Sequence, residues 1–143
     1  MAEGFLREMA KNLGEDMEVG SAGIGAMDDM APSRNSVAAM KEEGIDISRQ
    51  RSRMLTPEMV EEYTHIFGLG TGHVDAIRSY FPEAQEKIFD LREFIADESL
   101  DLEVPDPIGG DLDEYRITRN LIKEAMPSIL RFVLTGDPAE PGE

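Results

Sequence analysis

Residues Thr64 to Asp90 read THIFGLGTGHVDAIRSYFPEAQEKIFD, and this stretch decides the fold class. Thr64-His65-Ile66-Phe67-Gly68-Leu69 is a short apolar run bounded by glycine, which predicts a buried strand. Thr71 to Tyr80 has helical spacing and is closed by Pro82. Glu86 to Asp90, around Ile88 and Phe89, predicts another strand. The alternation of strands and helices continues along the chain and predicts an α/β fold, a parallel sheet with helices on both faces. In such sheets, sites lie in the loops at the carboxyl ends of the strands.

Towards the N-terminus, Thr56-Pro57-Glu58-Met59 is a helix start, with a capping Thr, a Pro in the first turn and acids suited to the dipole. Before it lie the extended Ile45-Asp46-Ile47 and the basic run Ser48 to Arg53. Pro32 or Ser33 opens a helix through Lys41, with Val37 and Met40 inward and Gly44 as its stop. Met17 to Gly23 alternates briefly and reads as a short strand running into the loop Gly23 to Pro32. Met1 to Leu13 is a helix, with Phe5, Leu6, Met9, Ala10 and Leu13 at helical spacing and Gly14 to end it. Towards the C-terminus, Arg92 to Val104 is an acidic segment with a short helix, and Pro105 to Gly110 is a loop. Asp111 to about Leu134 is a long amphipathic helix in which Tyr115, Leu121, Ile122, Ala125, Ile129 and Phe132 share a face, with a bend expected at Pro127. One domain over 1–134 and a disordered tail over 135–143 are expected.

Composition narrows the function. The 143 residues carry 14 Lys and Arg against 30 Asp and Glu, a net charge of −16, with no Cys. Such a chain repels nucleic-acid phosphates and anionic membrane surfaces. The absence of Cys removes disulfides, thiolate metal sites and cysteine nucleophiles together. Two histidines, His65 and His73, do not make a zinc site by themselves, so no metal and no cofactor is expected. No window holds the roughly 18 apolar residues of a membrane span, and the first residues lack the pattern of a signal peptide. A cytoplasmic location is expected.

Five motifs occur in one order: Met1-Ala2-Glu3-Gly4, Gly20-Ser21-Ala22-Gly23, Gly44-Ile45-Asp46-Ile47-Ser48, Ser52-Arg53 and Asp106-Pro107-Ile108-Gly109-Gly110. From Met1 to about Val133 the chain closely resembles the low-molecular-weight protein tyrosine phosphatases and their bacterial arginine-phosphatase and arsenate-reductase relatives. The resemblance implies a three-layer, flavodoxin-like α/β fold with a parallel sheet of strand order 2-1-3-4. In that family a first strand and a phosphate loop, C-x-x-x-x-x-R-S-P, run directly into M-A-E-G, where this chain begins. One central strand and its loop, roughly 15 residues, are therefore expected to be missing. A start assigned at an internal Met, or a fragment cut there, accounts for this more simply than a genuine loss.

The resemblance also implies a mechanism. A thiolate attacks phosphorus, an Asp protonates the leaving group and later activates water, and loop amides with an Arg stabilise the phosphoryl group. Of these parts only the Asp is matched, by Asp106, so the full-length parent would act on phosphorylated proteins while this chain is expected to be inactive. By residue type alone Asp106 is a turn aspartate before a helix. Ser21 matches a serine that supports the phosphate loop, or is simply satisfied by nearby backbone. Arg53 matches an arginine bracing the same region, or is a solvated cation. Met27, with Met30, falls in the loop that walls the substrate cleft, and Ile108 stands where tyrosine-selective members carry an aromatic pair, tilting preference away from a phosphotyrosine ring. Gln50 replaces a common His and Gly70 a common Thr or acid, both weakening the network around the phosphate loop. His73 and His65 read as structural residues. Asp28-Asp29 suggests a divalent-ion receiver, but no strand-end acceptor Asp accompanies it. A non-catalytic binding or regulatory module on the same fold is the alternative, and self-association through unpaired strand edges is expected.

Overall fold

The structure is a computed structural model, and it describes residues 1–24, 27–95 and 103–136. The expected short helix between Arg92 and Val104 falls largely outside these residues, and so does the tail beyond Gly136. Helices α1 (Ala2–Asn12), α2 (Arg34–Lys41), α3 (Pro57–Glu62), α4 (Thr71–Tyr80) and α5 (Leu112–Thr135) alternate with strands β1 (Ile66–Gly68) and β2 (Ile88–Asp90). Contacts within the chain cluster into two units. One comprises Met1–Leu55 with Asp106–Met126, and the other Thr56–Pro105 with Pro127–Glu143.

In the second unit β1 and β2 pair in parallel, Ile66 opposite Ile88, Phe67 opposite Phe89 and Gly68 opposite Asp90. Alternate strand residues point to opposite faces. On one face α4 packs so closely that a Cβ at Gly68 would lie 2.7 Å from Val74 Cγ2, so only glycine admits this approach. On the other face His65, Phe67 and Phe89 meet Phe94 and Phe132, the last two rings stacking 4.2 Å apart. Helices thus cover both faces, as the alternation predicts. His65 is a packing residue: burial among these rings lowers its pKa from the ordinary value.

Capping follows the sequence here. Thr56 Oγ1 accepts from Met59 N at 3.2 Å. Between α4 and β2, however, Pro82–Lys87 forms a 3₁₀ helix, so β2 begins two residues later than Glu86. Lys87 explains the difference, since its Nζ turns back to the carbonyls of Tyr63 (3.0 Å) and Glu61 (3.3 Å) at the end of α3. At the start of α4, Thr71 N donates to Glu103 Oε1 at 2.9 Å. Gly70 makes room for this carboxylate, because at φ +121° any Cβ would lie 2.6 Å from Glu103 Oε2.

In the first unit α1 buries Phe5 and Ala10, and Gly4 fits tightly beneath Ile47, with Gln50 alongside. Leu13 lies past the helix end and is 62% exposed, so the inward stripe is one residue shorter than its spacing suggests. Ser33 caps α2 by accepting from Ser36 N, and Met40 and Ala39 are fully buried while Val37 is half-buried. Asp111 Oδ1 caps α5 by accepting from Glu114 N at 3.0 Å. Facing α2, the buried Arg119 donates through Nη1 to the Ala39 carbonyl (2.9 Å) and Glu42 Oε1 (2.6 Å), and Arg116 grips the same carboxylate.

The strand expected over Met17 to Gly23 does not form. Residues 15–22 are irregular, and only Gly23 makes an isolated parallel bridge, to Met54. A strand exists only by pairing. Among the described residues, the backbone of 16–22 has no backbone partner, and the Val19 carbonyl is taken by Arg7 Nη2 at 2.7 Å.

Asp90, at the carboxyl end of β2, is 9% exposed, and its Oδ1 has no hydrogen-bond partner. Burial first, then the negative charges of Glu93 and Glu103, raise its pKa, with Arg78 opposing. An acid that binds its proton more tightly when folded contributes stability below its unfolded value, and that contribution is lost as pH rises through the folded value. Asp90→Asn, which keeps the neutral shape, is expected to stabilise the protein at pH 7 by about 1 kcal/mol, with the gain vanishing at acid pH. Urea unfolding at both pH values checks this.

Candidate active site

All five residues singled out by the sequence lie in the first unit. Asp106 sits in the loop before α5, exposed, with its Oδ1 accepting from Ile108 N at 3.1 Å. This closes an Asx turn that fixes the carboxylate beside a side chain 81% exposed, that of Ile108. The Gly110 amide then donates to the Pro107 carbonyl at 2.7 Å, and Asn35 Nδ2 on α2 donates to the Gly110 carbonyl at 3.2 Å. Gly109 turns the chain at φ +79°. A Cβ on Gly110 would fall 1.9 Å from Glu114 Oε2 and 2.9 Å from the Pro107 carbonyl. Gly109 is thus favoured by its positive φ and Gly110 by the closeness of the Pro107 carbonyl.

Ser21 is exposed, and its hydroxyl donates to Glu3 Oε1 at 2.6 Å, while Glu3 Oε2 pairs with Arg7 at 2.7 Å. The M-A-E-G and G-S-A-G motifs therefore meet through Glu3. Arg53 is half-buried. Its carbonyl accepts from Gly23 N at 2.9 Å, and among the described residues its guanidinium has no hydrogen bond or ion pair. Met27 is 71% exposed. Its carbonyl accepts from Ser52 Oγ, which itself accepts from Met30 N at 3.0 Å, and Asp28 Oδ1 accepts from Met54 N at 2.9 Å.

The structure thus joins Ser21 to α1, ties Met27 to the segment carrying Arg53, and holds Asp106 with Ile108 on a loop tethered to α2. Sequence reasoning missed Glu3, Asn35 and Ser52 as the residues that make these ties. Glu3 and Ser52 lay inside quoted motifs, but Asn35 carried no signal beyond its place in a helical first turn. Among the described residues no three His, Asp or Glu side chains are grouped to hold a metal ion, and no helix is long and apolar enough to cross a membrane. Chemically the site offers an exposed carboxylate on a fixed turn beside an exposed aliphatic side chain.

A parallel α/β sheet flanked by helices and an Asp-Pro loop opening the last helix define the class. Residues 1–136 match the family described as low molecular weight phosphotyrosine protein phosphatase, and the chain belongs to it. It is 36% identical over 104 residues to the protein-arginine-phosphatase of Geobacillus stearothermophilus, covering 73% of this chain and 68% of that one. It is 29% identical over 131 residues to that of Bacillus subtilis (strain 168), covering 92% and 85%. Among solved structures it superposes on the low molecular weight protein tyrosine phosphatase from T. tengcongensis with a TM-score of 0.83 and 31% identity, over 91% of this chain and 87% of that one. The YwlE arginine phosphatase from Geobacillus stearothermophilus gives 0.83 and 31%, over 94% and 84%. The flavodoxin-like class and the bacterial arginine-phosphatase-like branch implied by the motifs are thereby borne out.

The loop geometry yields a direct expectation. Gly109→Ala places a side chain at positive φ and should destabilise the protein by roughly 1–2 kcal/mol, while shifting the backbone amide resonances of Ile108 and Gly110. Unchanged amide shifts and stability would mean that the turn is not held as described.

Proposed function

We propose that the parent of this chain is a phosphoprotein phosphatase working through a phosphocysteine, with Asp106 as general acid and then general base. The observation that carries this reading is the Asp106 turn, an exposed carboxylate fixed at the start of α5 within a family fold. An acid so placed protonates a departing phenolate oxygen or guanidine nitrogen, and the resulting carboxylate then takes a proton from the attacking water. Ser21, Glu3 and Arg53 border the region that receives the phosphate loop, and Met27 and Ile108 wall the cleft. Phosphoarginine is the favoured substrate over phosphotyrosine. Ile108 presents an exposed aliphatic side chain where a stacking ring would serve an aromatic leaving group, and two relatives are named as protein-arginine phosphatases.

These 143 residues contain no Cys, so in this reading the chain alone forms no phosphocysteine and is inactive. The same absence favours one second reading, a non-catalytic binding module on this fold. Hydrolysis of p-nitrophenyl phosphate separates the two, measured on this chain and on a form extended upstream in frame. The proposal expects activity only in the extended form, falling about 10²–10⁴-fold in Asp106→Asn. Silence in both forms, with no cysteine loop encoded upstream, would favour the binding module.

A further inference from the structure

Three of the nine methionines, Met27, Met30 and Met54, present exposed side chains on one hydrogen-bonded substructure. They are 71%, 54% and 45% exposed, and the neighbouring Ile24 is 43% exposed, whereas Met40 and Met126 are 0% and 1% exposed. The backbone beneath them is fixed. Ser52 Oγ binds the Met27 carbonyl and the Met30 amide, Ser52 N donates to the Met30 carbonyl at 2.9 Å, and Asp29 N donates to the Ser52 carbonyl at 2.8 Å. Asp28 holds the Met54 amide, and Gly23 bridges to Met54. Polar groups therefore shape this loop pair, and the thioethers are left outside it.

We propose that Met27, Met30 and Met54 form a methionine-oxidation site for small peroxides, in which oxidation turns these exposed apolar side chains into polar ones. In each event the thioether sulfur attacks the distal oxygen of hydrogen peroxide. An S–O bond forms, the O–O bond breaks and water leaves, so sulfur loses two electrons and the peroxide gains them. These 143 residues contain no Cys, so no thiol among them competes for the oxidant. Methionine sulfoxide is polar and disrupts Met-rich contact surfaces, and it is reversible by methionine sulfoxide reductases. Because the hydrogen bonds of Ser52 and Asp28, rather than these thioethers, hold the loop pair, oxidation leaves the fold intact. The same reaction at Met40 or Met126 would place a sulfoxide in the core. The chemistry is independent of the phosphatase reading, and only its consequence for a substrate cleft rests on that reading.

The test treats this chain with limiting hydrogen peroxide and follows each methionine by peptide mass mapping. Met27, Met30 and Met54 should oxidise at least about tenfold faster than Met40 and Met126, and the ratio should collapse in denaturant. Comparable native rates at all five positions, or protection of two of the three, would overturn the proposal. The oxidised protein should unfold at the same urea midpoint, bind less of an apolar dye such as anilinonaphthalene sulfonate, and recover on sulfoxide reduction. A variant carrying Met27→Leu, Met30→Leu and Met54→Leu should keep its dye binding after peroxide. Dye binding that falls equally in this variant would assign the effect to other residues and refute the site. Because none of these readouts uses hydrolysis, a failed phosphatase assay and a failed oxidation site are told apart.

Discussion

The Glu42 carboxylate accepts from two arginines of one helix, and the candidate site depends on that arrangement. Arg116 reaches it with Nε at 3.0 Å and Nη2 at 2.6 Å, and Arg119 with Nη1 at 2.6 Å. Arg119 is 8% exposed, and a buried guanidinium is costly unless paired. Its Nη1 also reaches the Ala39 carbonyl near the end of α2, so α2 and the first half of α5 are held as a pair. The Asp106 loop is strung between them, tethered by Asn35 of α2 at Gly110 and by the Asp111 cap of α5. The more exposed pairs, Arg116 with Glu42 and Asp113 and Lys123 with Glu43, add little beside the buried Arg119.

A carboxylate is fixed in a turn, an aliphatic side chain stands beside it, and the Ser21–Glu3–Arg7 chain orders the start of α1. In the proposed reading such a carboxylate works with a cysteine, and these 143 residues hold none. In the second unit the sheet is sealed by aromatic rings on one face and by α4 on the other, and Lys87 and Glu103 tie the ends of α3 and α4.

What the sequence shows, and what it hides, divides along local and non-local lines. Thr71 to Tyr80, the Thr56 cap and the Ser33 cap were legible because they depend on neighbours a few residues away. The pairing of residues 66–68 with 88–90 was legible as alternation, though not in register. The strand expected over Met17 to Gly23 does not form because its pattern is local while a strand needs a partner, and among the described residues only Gly23 finds one, in an isolated bridge to Met54. The Glu103 contact with Thr71 spans 32 residues, and the Glu42 contacts span more than 70. Nothing in a linear pattern announces such pairs. At the candidate site, Asp106 and Ile108 lie in a quoted motif and Met27 in the loop that follows another, whereas the part played by Asn35 emerged only from the folded chain.

Since the Asp106 loop hangs from the Glu42 clamp, the most direct measurement is a carbon NMR titration of the Glu42 side-chain carboxyl. Its hydrogen bonds to Arg116 and Arg119 hold the pKa down to about 2 from an ordinary 4.5. A depressed acid contributes stability above its unfolded value and loses it as pH falls towards the folded one, so the clamp should weaken between those two values. The account predicts a midpoint near 2, with the Ile108 and Gly110 amides following it. A midpoint at the ordinary value, with those amides unmoved, would contradict it.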